Sequence, residues 1–368
     1  MYVFLDTNIY FNNWFLKSPP FAKLIKYCND TDATLLLPEV VIEEVQAKYV
    51  EERDKLLKRV EADRRLCENF GYSSAAYTSN LLASGYNFAE VVADKFNSIK
   101  RLPYDNVPHR LLVNKAIQAK RPFTDTEKGY RDTLIWHTLI DFLQSSWAES
   151  SVAFITENVT DFYDGKESPL TFHADLLADL QEASVQNQFQ LFRSIRGLVD
   201  ANKIVRQGKV DHERLGSELL PAVESSAEEE AIDYLNMLPL EGTQQLFAAA
   251  NFDSQAIALM QRVHWSIWEG TEDPKMGLGE SLGGNAVFLP YEFNLRILEA
   301  IWTVSKATYF QHKAMLDLHF DNMDIDNNEV HLTVGARCYF RASFIVDVSE
   351  GEVLQASIDD AWLRPYGG

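Results

Sequence analysis

Short apolar runs punctuate the first half of the chain, each closed by a polar or proline stop. Tyr2-Val3-Phe4-Leu5 ends on Asp6-Thr7-Asn8, Thr34-Leu35-Leu36-Leu37 ends on Pro38, and Val152-Ala153-Phe154-Ile155 ends on Thr156. Runs of this length and composition predict buried strands. Between them the apolar positions recur at helical spacing. Ser18 to Asn29 predicts a helix, and Pro38 opens another that runs to about Phe70, because a proline in a first turn sacrifices no hydrogen bond. The later part of that helix alternates in charge from Glu51 to Arg65, which marks a solvated face. Residues 73–100 predict one or two helices, residues 108–120 another, and Thr124 to about Trp147 a further one carrying Leu134, Ile135, Leu139 and Phe142. A last helix is expected at about 170–190. Strands that alternate with helices imply parallel strands joined by crossovers.

The pattern changes in the second half. Residues 226–238 and 243–262 read as helices, and strand signals take over from about residue 285. Val330–Val334, Arg337–Val348 and Glu352–Ile358 are divided by Gly335 and by Ser349-Glu350-Gly351, which predicts an antiparallel meander. The expected fold class is therefore α/β, a Rossmann-type parallel sheet flanked by helices, followed by an α+β region with antiparallel strands.

Charge sharpens that division. The chain of 368 residues has a formal net charge of -20, which speaks against a protein that simply coats nucleic acid. Local charge matters more than the total. Lys95, Lys100, Arg101, Arg110, Lys115, Lys120, Arg121, Lys128 and Arg131 form a basic island opposed only by Asp105, Asp125 and Glu127. From Asp211 to Glu280 the balance reverses, and a boundary is expected near residues 195–210, giving regions 1–195 and 196–368. No apolar run approaches the roughly 18 residues that span a bilayer. Cys28, Cys67 and Cys338 show neither metal-site nor disulfide spacing, so a reducing cytoplasm is the expected compartment.

Four acids fall at strand ends or on adjoining helices. Asp6 closes the first strand, Glu43 and Glu44 lie early in the helix after the second, Asp132 lies early in the helix before the third strand, and Asp161 follows that strand. In open parallel sheets ligands bind at the carboxyl ends of the strands. Acids delivered there suit hard cations such as magnesium or manganese, which can activate water against a phosphodiester.

The pieces Phe4-Leu5-Asp6-Thr7-Asn8, Pro38-Glu39-Val40-Val41-Ile42-Glu43-Glu44-Val45, Lys128-Gly129-Tyr130-Arg131-Asp132-Thr133-Leu134-Ile135-Trp136 and Phe154-Ile155-Thr156-Glu157-Asn158-Val159-Thr160-Asp161-Phe162 follow one another in an order that resembles the PIN-domain nucleases. The resemblance spans about residues 1–195 and is closest to the long standalone bacterial members with a C-terminal extension. It implies a PIN-like Rossmann sheet and metal-dependent hydrolysis of RNA, less often of DNA. It further implies Mg²⁺ or Mn²⁺ held by Asp6, Glu44, Asp132 and Asp161, in a catalyst of the toxin, defence or RNA-processing kind. The fourth piece departs from the family pattern, since Asn158 stands where many members have an acid and Asp161 comes three residues later. Thr7, Asn8, Thr156 and Asn158 are the expected supporting residues, and Lys128 and Arg131 the expected phosphate contacts. Helical periodicity leaves Glu43 and Glu44 both open, and the resemblance points to Glu44. Asp132 and Asp141 fall on opposite helix faces, so only one can serve.

Other readings remain at this stage. A non-catalytic PIN-like RNA-binding or assembly module fits the Asn158 departure, and a DNA nuclease would use the same chemistry. The C-terminal region is expected to cover the site, to dimerise or to bind a protein partner. Gly279-Glu280-Ser281-Leu282-Gly283 spells a serine-hydrolase elbow but lacks a strand before it. Asp324–Glu329 imitates a calcium loop without its glycine, and a hairpin is expected there. His312 and His319 have no third ligand and are expected to be ordinary structural histidines.

Overall fold

A computed structural model describes residues 1–69, 85–123, 128–146, 150–165, 169–201, 219–326 and 328–365. Residues 73–84 of the stretch expected to hold one or two helices over 73–100, the start of the helix at Thr124, Asp125, Glu127 and the Cys67 side chain lie outside the described residues. The chain divides into two compact units, Met1–Ile204 and Val205–Gly368, each with its own hydrophobic core.

In the first unit the elements follow as β1 (Tyr2–Leu5), α1 (Pro19–Asp30), β2 (Thr34–Pro38), α2 (Glu39–Asn69), α3 (Phe88–Ala93), β3 (Ile99–Leu102), α4 (His109–Ile117), α5 (Tyr130–Gln144), β4 (Val152–Ile155), α6 (Val159–Phe162), α7 (Ala174–Glu182), β5 (Phe189–Phe192) and α8 (Ile195–Ala201). The five strands pair in parallel in the order β3-β2-β1-β4-β5. Helices on both faces make the inner strands apolar throughout: Val3, Phe4 and Leu5 of β1 and all of β4 are buried. Phe4 and Phe154 stack across the central pair at 5.0 Å, and Trp136 of α5 packs edge-on against Phe154 and Phe172. Chain order reverses between β1 and β4, which makes their carboxyl ends the switch-point crevice of the sheet. In-register pairing of Leu5 with Ile155 sets Asp6 and Thr156 side by side at that crevice.

Several expectations are corrected. Residues 99–102 form a strand, and the helix expected to run to residue 190 stops at Glu182, followed by a strand. Both missed strands are sheet edges. Ile99-Lys100-Arg101-Leu102 exposes its two cations, which hides the apolar run that periodicity looks for. Pro38 ends β2 by pairing with Leu102 instead of opening the helix, which starts at Glu39. Ile195, Leu198 and Val199 of α8 are buried in the core of the first unit.

The second unit contains α9 (Leu220–Met237), α10 (Leu240–Ala249), α11 (Ser254–Leu259), β6 (Arg262–Met276), β7 (Glu280–Gly283), β8 (Ala286–Ser305), α12 (Lys306–Leu316), β9 (Asn322–Asp326), β10 (Glu329–Asp347) and β11 (Glu352–Leu363). The antiparallel sheet runs β11-β10-β8-β6, with β7 on β8 and β9 on β10. Val223, Ala227, Ala231 and Leu235 line the buried face of α9 at four-residue spacing. Strand begins earlier than expected, at Arg262, and the helical stretch expected over 243–262 divides into α10 and α11. Gly335 does not break its strand: it pairs with Glu299, and β10 continues through it. Asp326 pairs with Glu329 in a hairpin at the calcium-like stretch, and Ser281 lies in the short strand β7, which pairs with β8, where no nucleophile elbow forms.

Candidate functional site

Asp6 is buried at the end of β1, where its backbone N–H still donates to the Ile155 carbonyl at 3.0 Å. A carboxylate there is costly unless its oxygens are met. Oδ1 accepts from the Thr7 amide at 2.8 Å, while Oδ2 accepts from Thr156 Oγ1 at 2.7 Å and from Asn8 Nδ2 at 3.1 Å. Thr156 Oγ1 in turn accepts from Asn8 Nδ2 at 3.2 Å and from the Asn158 amide at 3.0 Å. One hydroxyl after β4 thus ties its own loop to the segment that follows β1.

The other acids join from separate elements. Thr7 Oγ1 donates to Glu44 Oε2 at 2.9 Å, which draws the first turns of α2 to the end of β1. Glu43 points elsewhere and accepts from the Tyr104 hydroxyl at 3.1 and 3.2 Å. Asp161 is held in α6 by Asn158 Nδ2 at 2.8 Å. Asp132 enters from the first turn of α5, whereas Asp141, further along the same helix, accepts from Asn106 Nδ2 at 3.4 Å. Gly129 precedes α5 at φ 108°, and a Cβ there would lie 2.3 Å from the Pro122 carbonyl oxygen, so glycine alone lets this helix start against the loop.

The electrostatics show that the four acids share one field. Burial pushes the Asp132 carboxyl up to about 7, and the charges of Asp6, Asp161 and Glu44 push the same way. Burial pushes Asp6 up to about 6; its bonds from Thr156 and Thr7 oppose the rise, and the charges of Glu44 and Asp161 add to it. Arginines answer two of the four: Arg131 pairs with Glu44, and Arg121 Nη1 donates to Asp161 Oδ1 at 2.8 Å. Lys128 is exposed and has no hydrogen bond or ion pair among the described residues.

Among the described residues no three acids, histidines or cysteines are drawn together tightly enough to clasp an ion. In donor chemistry the set does fit a hard divalent cation. It offers carboxylate oxygens only, partly withdrawn from water, and their mutual repulsion would be relieved by positive charge among them.

Nothing in the sequence singles out Arg121 from the nine cations of the basic island. Its loop is fixed from beneath. Lys115 Nζ donates to the Arg121 carbonyl at 3.4 Å, and the Arg121 amide donates to Asp175 Oδ2 at 3.0 Å. Lys115 is itself buried and pairs with Asp179 at 2.5 Å, and Asp179 also accepts from Trp136 Nε1 at 2.9 Å. Burial, and then the Lys115 charge, push neighbouring His137 down to about 4, so it is neutral at physiological pH.

The model of the PIN domain family matches residues 3–162, a stretch that contains every residue of the acid cluster. No curated protein and no solved structure matches the chain.

Proposed function

We propose, from the premise that residues 3–162 resemble the PIN-domain nuclease family, that this chain is a metal-dependent nuclease that hydrolyses phosphodiester bonds, with RNA as its substrate. The observation that supports the reading is that Asp6 lies at the switch-point end of a parallel sheet, tied through Thr7 to Glu44, and that the charges of Glu44, Asp132 and Asp161, from three further segments, act in the same field. Magnesium or manganese bound by these carboxylates would supply the positive charge that eases deprotonation of water and stabilises the leaving oxygen. Thr7, Asn8, Thr156 and Asn158 fix the carboxylates by hydrogen bonds. Arg131 and Lys128 are proposed to approach the substrate backbone, and the buried free thiols Cys28 and Cys338 suit a cytoplasmic protein.

The test is cleavage of single-stranded RNA, structured RNA and matched DNA in manganese, magnesium or EDTA, by the native protein and by Asp6→Asn. Metal-dependent cleavage should fall at least about a hundredfold in the variant, the scale seen when a preorganised charge-stabilising group is lost. Cleavage that survives EDTA, or that Asp6→Asn leaves intact, would overturn the assignment. A second reading, a non-catalytic nucleic-acid-binding module, is favoured by the occupation of Glu44 and Asp161 by arginines. It predicts binding of RNA without cleavage and without manganese binding by calorimetry. A DNA nuclease of the same chemistry would show in the DNA arm.

A further inference from the structure

We propose that Arg121 contacts the substrate, its guanidinium taking a non-bridging oxygen of a backbone phosphate beside Asp161; this rests on the nuclease reading. Three observations converge. First, the guanidinium already grips an anionic oxygen at the acid cluster, 2.8 Å from Asp161 Oδ1. Carboxylate and phosphate oxygens present the same acceptor to the guanidinium fork, so the pose shown is one a phosphate can take over. Second, the side chain is reachable. It is 32 % exposed, and among the described residues Asp161 is the one acceptor its five donors meet.

Third, the residue is preorganised. Lys115 holds its carbonyl and Asp175 its amide, and Lys115 is anchored in turn by Asp179 beneath Trp136. Burying the Lys115–Asp179 pair is expensive, and it leaves both backbone polar groups of Arg121 hydrogen-bonded. An arginine so held surrenders less freedom on binding than Arg131, whose side chain is 67 % exposed, or Lys128, which is exposed and has no partner among the described residues.

The contact can be read without catalysis. An Asp6→Asn parent in EDTA is titrated with fluorophore-labelled single-stranded RNA and DNA, and anisotropy is followed over a series of sodium chloride concentrations. In that parent Arg121→Ala should weaken binding and reduce the slope of log K against log salt by about 0.7, the value of one phosphate contact on a single strand. Arg121→Lys should keep the slope, because the charge is retained, and bind less tightly, because the fork is lost. Arg121→Gln keeps an amide donor for Asp161 without the charge, and it reads the same slope if the alanine variant does not fold. Equal losses on RNA and DNA support a phosphate contact. A loss on RNA alone overturns the phosphate assignment in favour of the 2′-hydroxyl. If the parent binds and the uncharged variants keep its slope and affinity, Arg121 serves Asp161 only and the inference falls. A parent that binds neither polymer, in EDTA or with calcium in its place, overturns the nuclease reading itself.

Discussion

Asp6 and Asp132 hold protons more tightly than carboxylates in water do, and this gives the cluster a thermodynamic signature. Both are pushed up, to about 6 and about 7, by burial first. A group whose folded value exceeds its unfolded one, near 4 for an aspartate, contributes stability that is complete below the unfolded value and is lost as pH rises through the folded one. The cation-free protein should therefore lose stability between about pH 4 and pH 7 through these two groups. Asp132→Asn removes the strain of the charged form. In EDTA at pH 8 it should melt a few degrees above the native protein, and the gap should close at pH 5. A gap independent of pH would show that Asp132 does not titrate in this window. Manganese at a hundred times its dissociation constant should stabilise the native protein by about 2.7 kcal/mol and leave Asp132→Asn nearly unmoved. Asn8 and Thr156 support Asp6 without meeting a ligand, so Asn8→Ala and Thr156→Val should each lower metal affinity or cleavage by about 10–100-fold, measured by calorimetry and by rate. A change smaller than twofold in both would remove them from the site.

At the scale of elements, the buried pair that steadies the Arg121 loop can be broken from either side. Lys115 and Asp179 side chains are 8 % and 12 % exposed. Lys115→Met leaves Asp179 charged and without its cation, which should destabilise the first unit by about 3–5 kcal/mol. Lys115→Met with Asp179→Leu should recover most of that in a denaturant melt, since two apolar side chains replace both charges. A double variant as unstable as the single one would mean that the pair itself stabilises the fold. Elements of this kind also mark how far the sequence could be read. β1, β2 and β4 are legible because burial on both faces makes them unbroken apolar runs between polar stops. β3 and β5 are edges, half solvated and four residues long, and they carry too little pattern to separate from helix or loop. The placement of the acids was legible because each sits where a strand end or helix start delivers it. Periodicity left Glu43 and Glu44 both open, and the Thr7 bond to Glu44 and the clamp on Arg121 could not be read because both depend on contacts between residues far apart in sequence.

At the scale of the molecule, each unit has a separate core, one around Phe4, Trp136 and Phe154 and the other around Phe247, Trp265 and Trp302. Scanning calorimetry should then show two transitions. Trp302→Ala, which empties a fully buried site, should cost about 3–5 kcal/mol and displace one of them. Manganese should displace the other. A single transition that moves with both changes would show that the two cores melt together. No helix among the described residues is long and apolar enough to cross a membrane.

The bond from Thr156 to Asp6 joins residues 150 positions apart. A ribosome makes Asp6 first, and every partner that gives it a chemical role, from Glu44 to Asp161, emerges later. Until β4 has left the exit tunnel and paired with β1, the nascent chain holds a lone acid at the end of an unfinished strand. On the nuclease reading, an enzyme born beside messenger and ribosomal RNA is harmless until its central strands meet, and its activity begins with the closing of a single pair of strands.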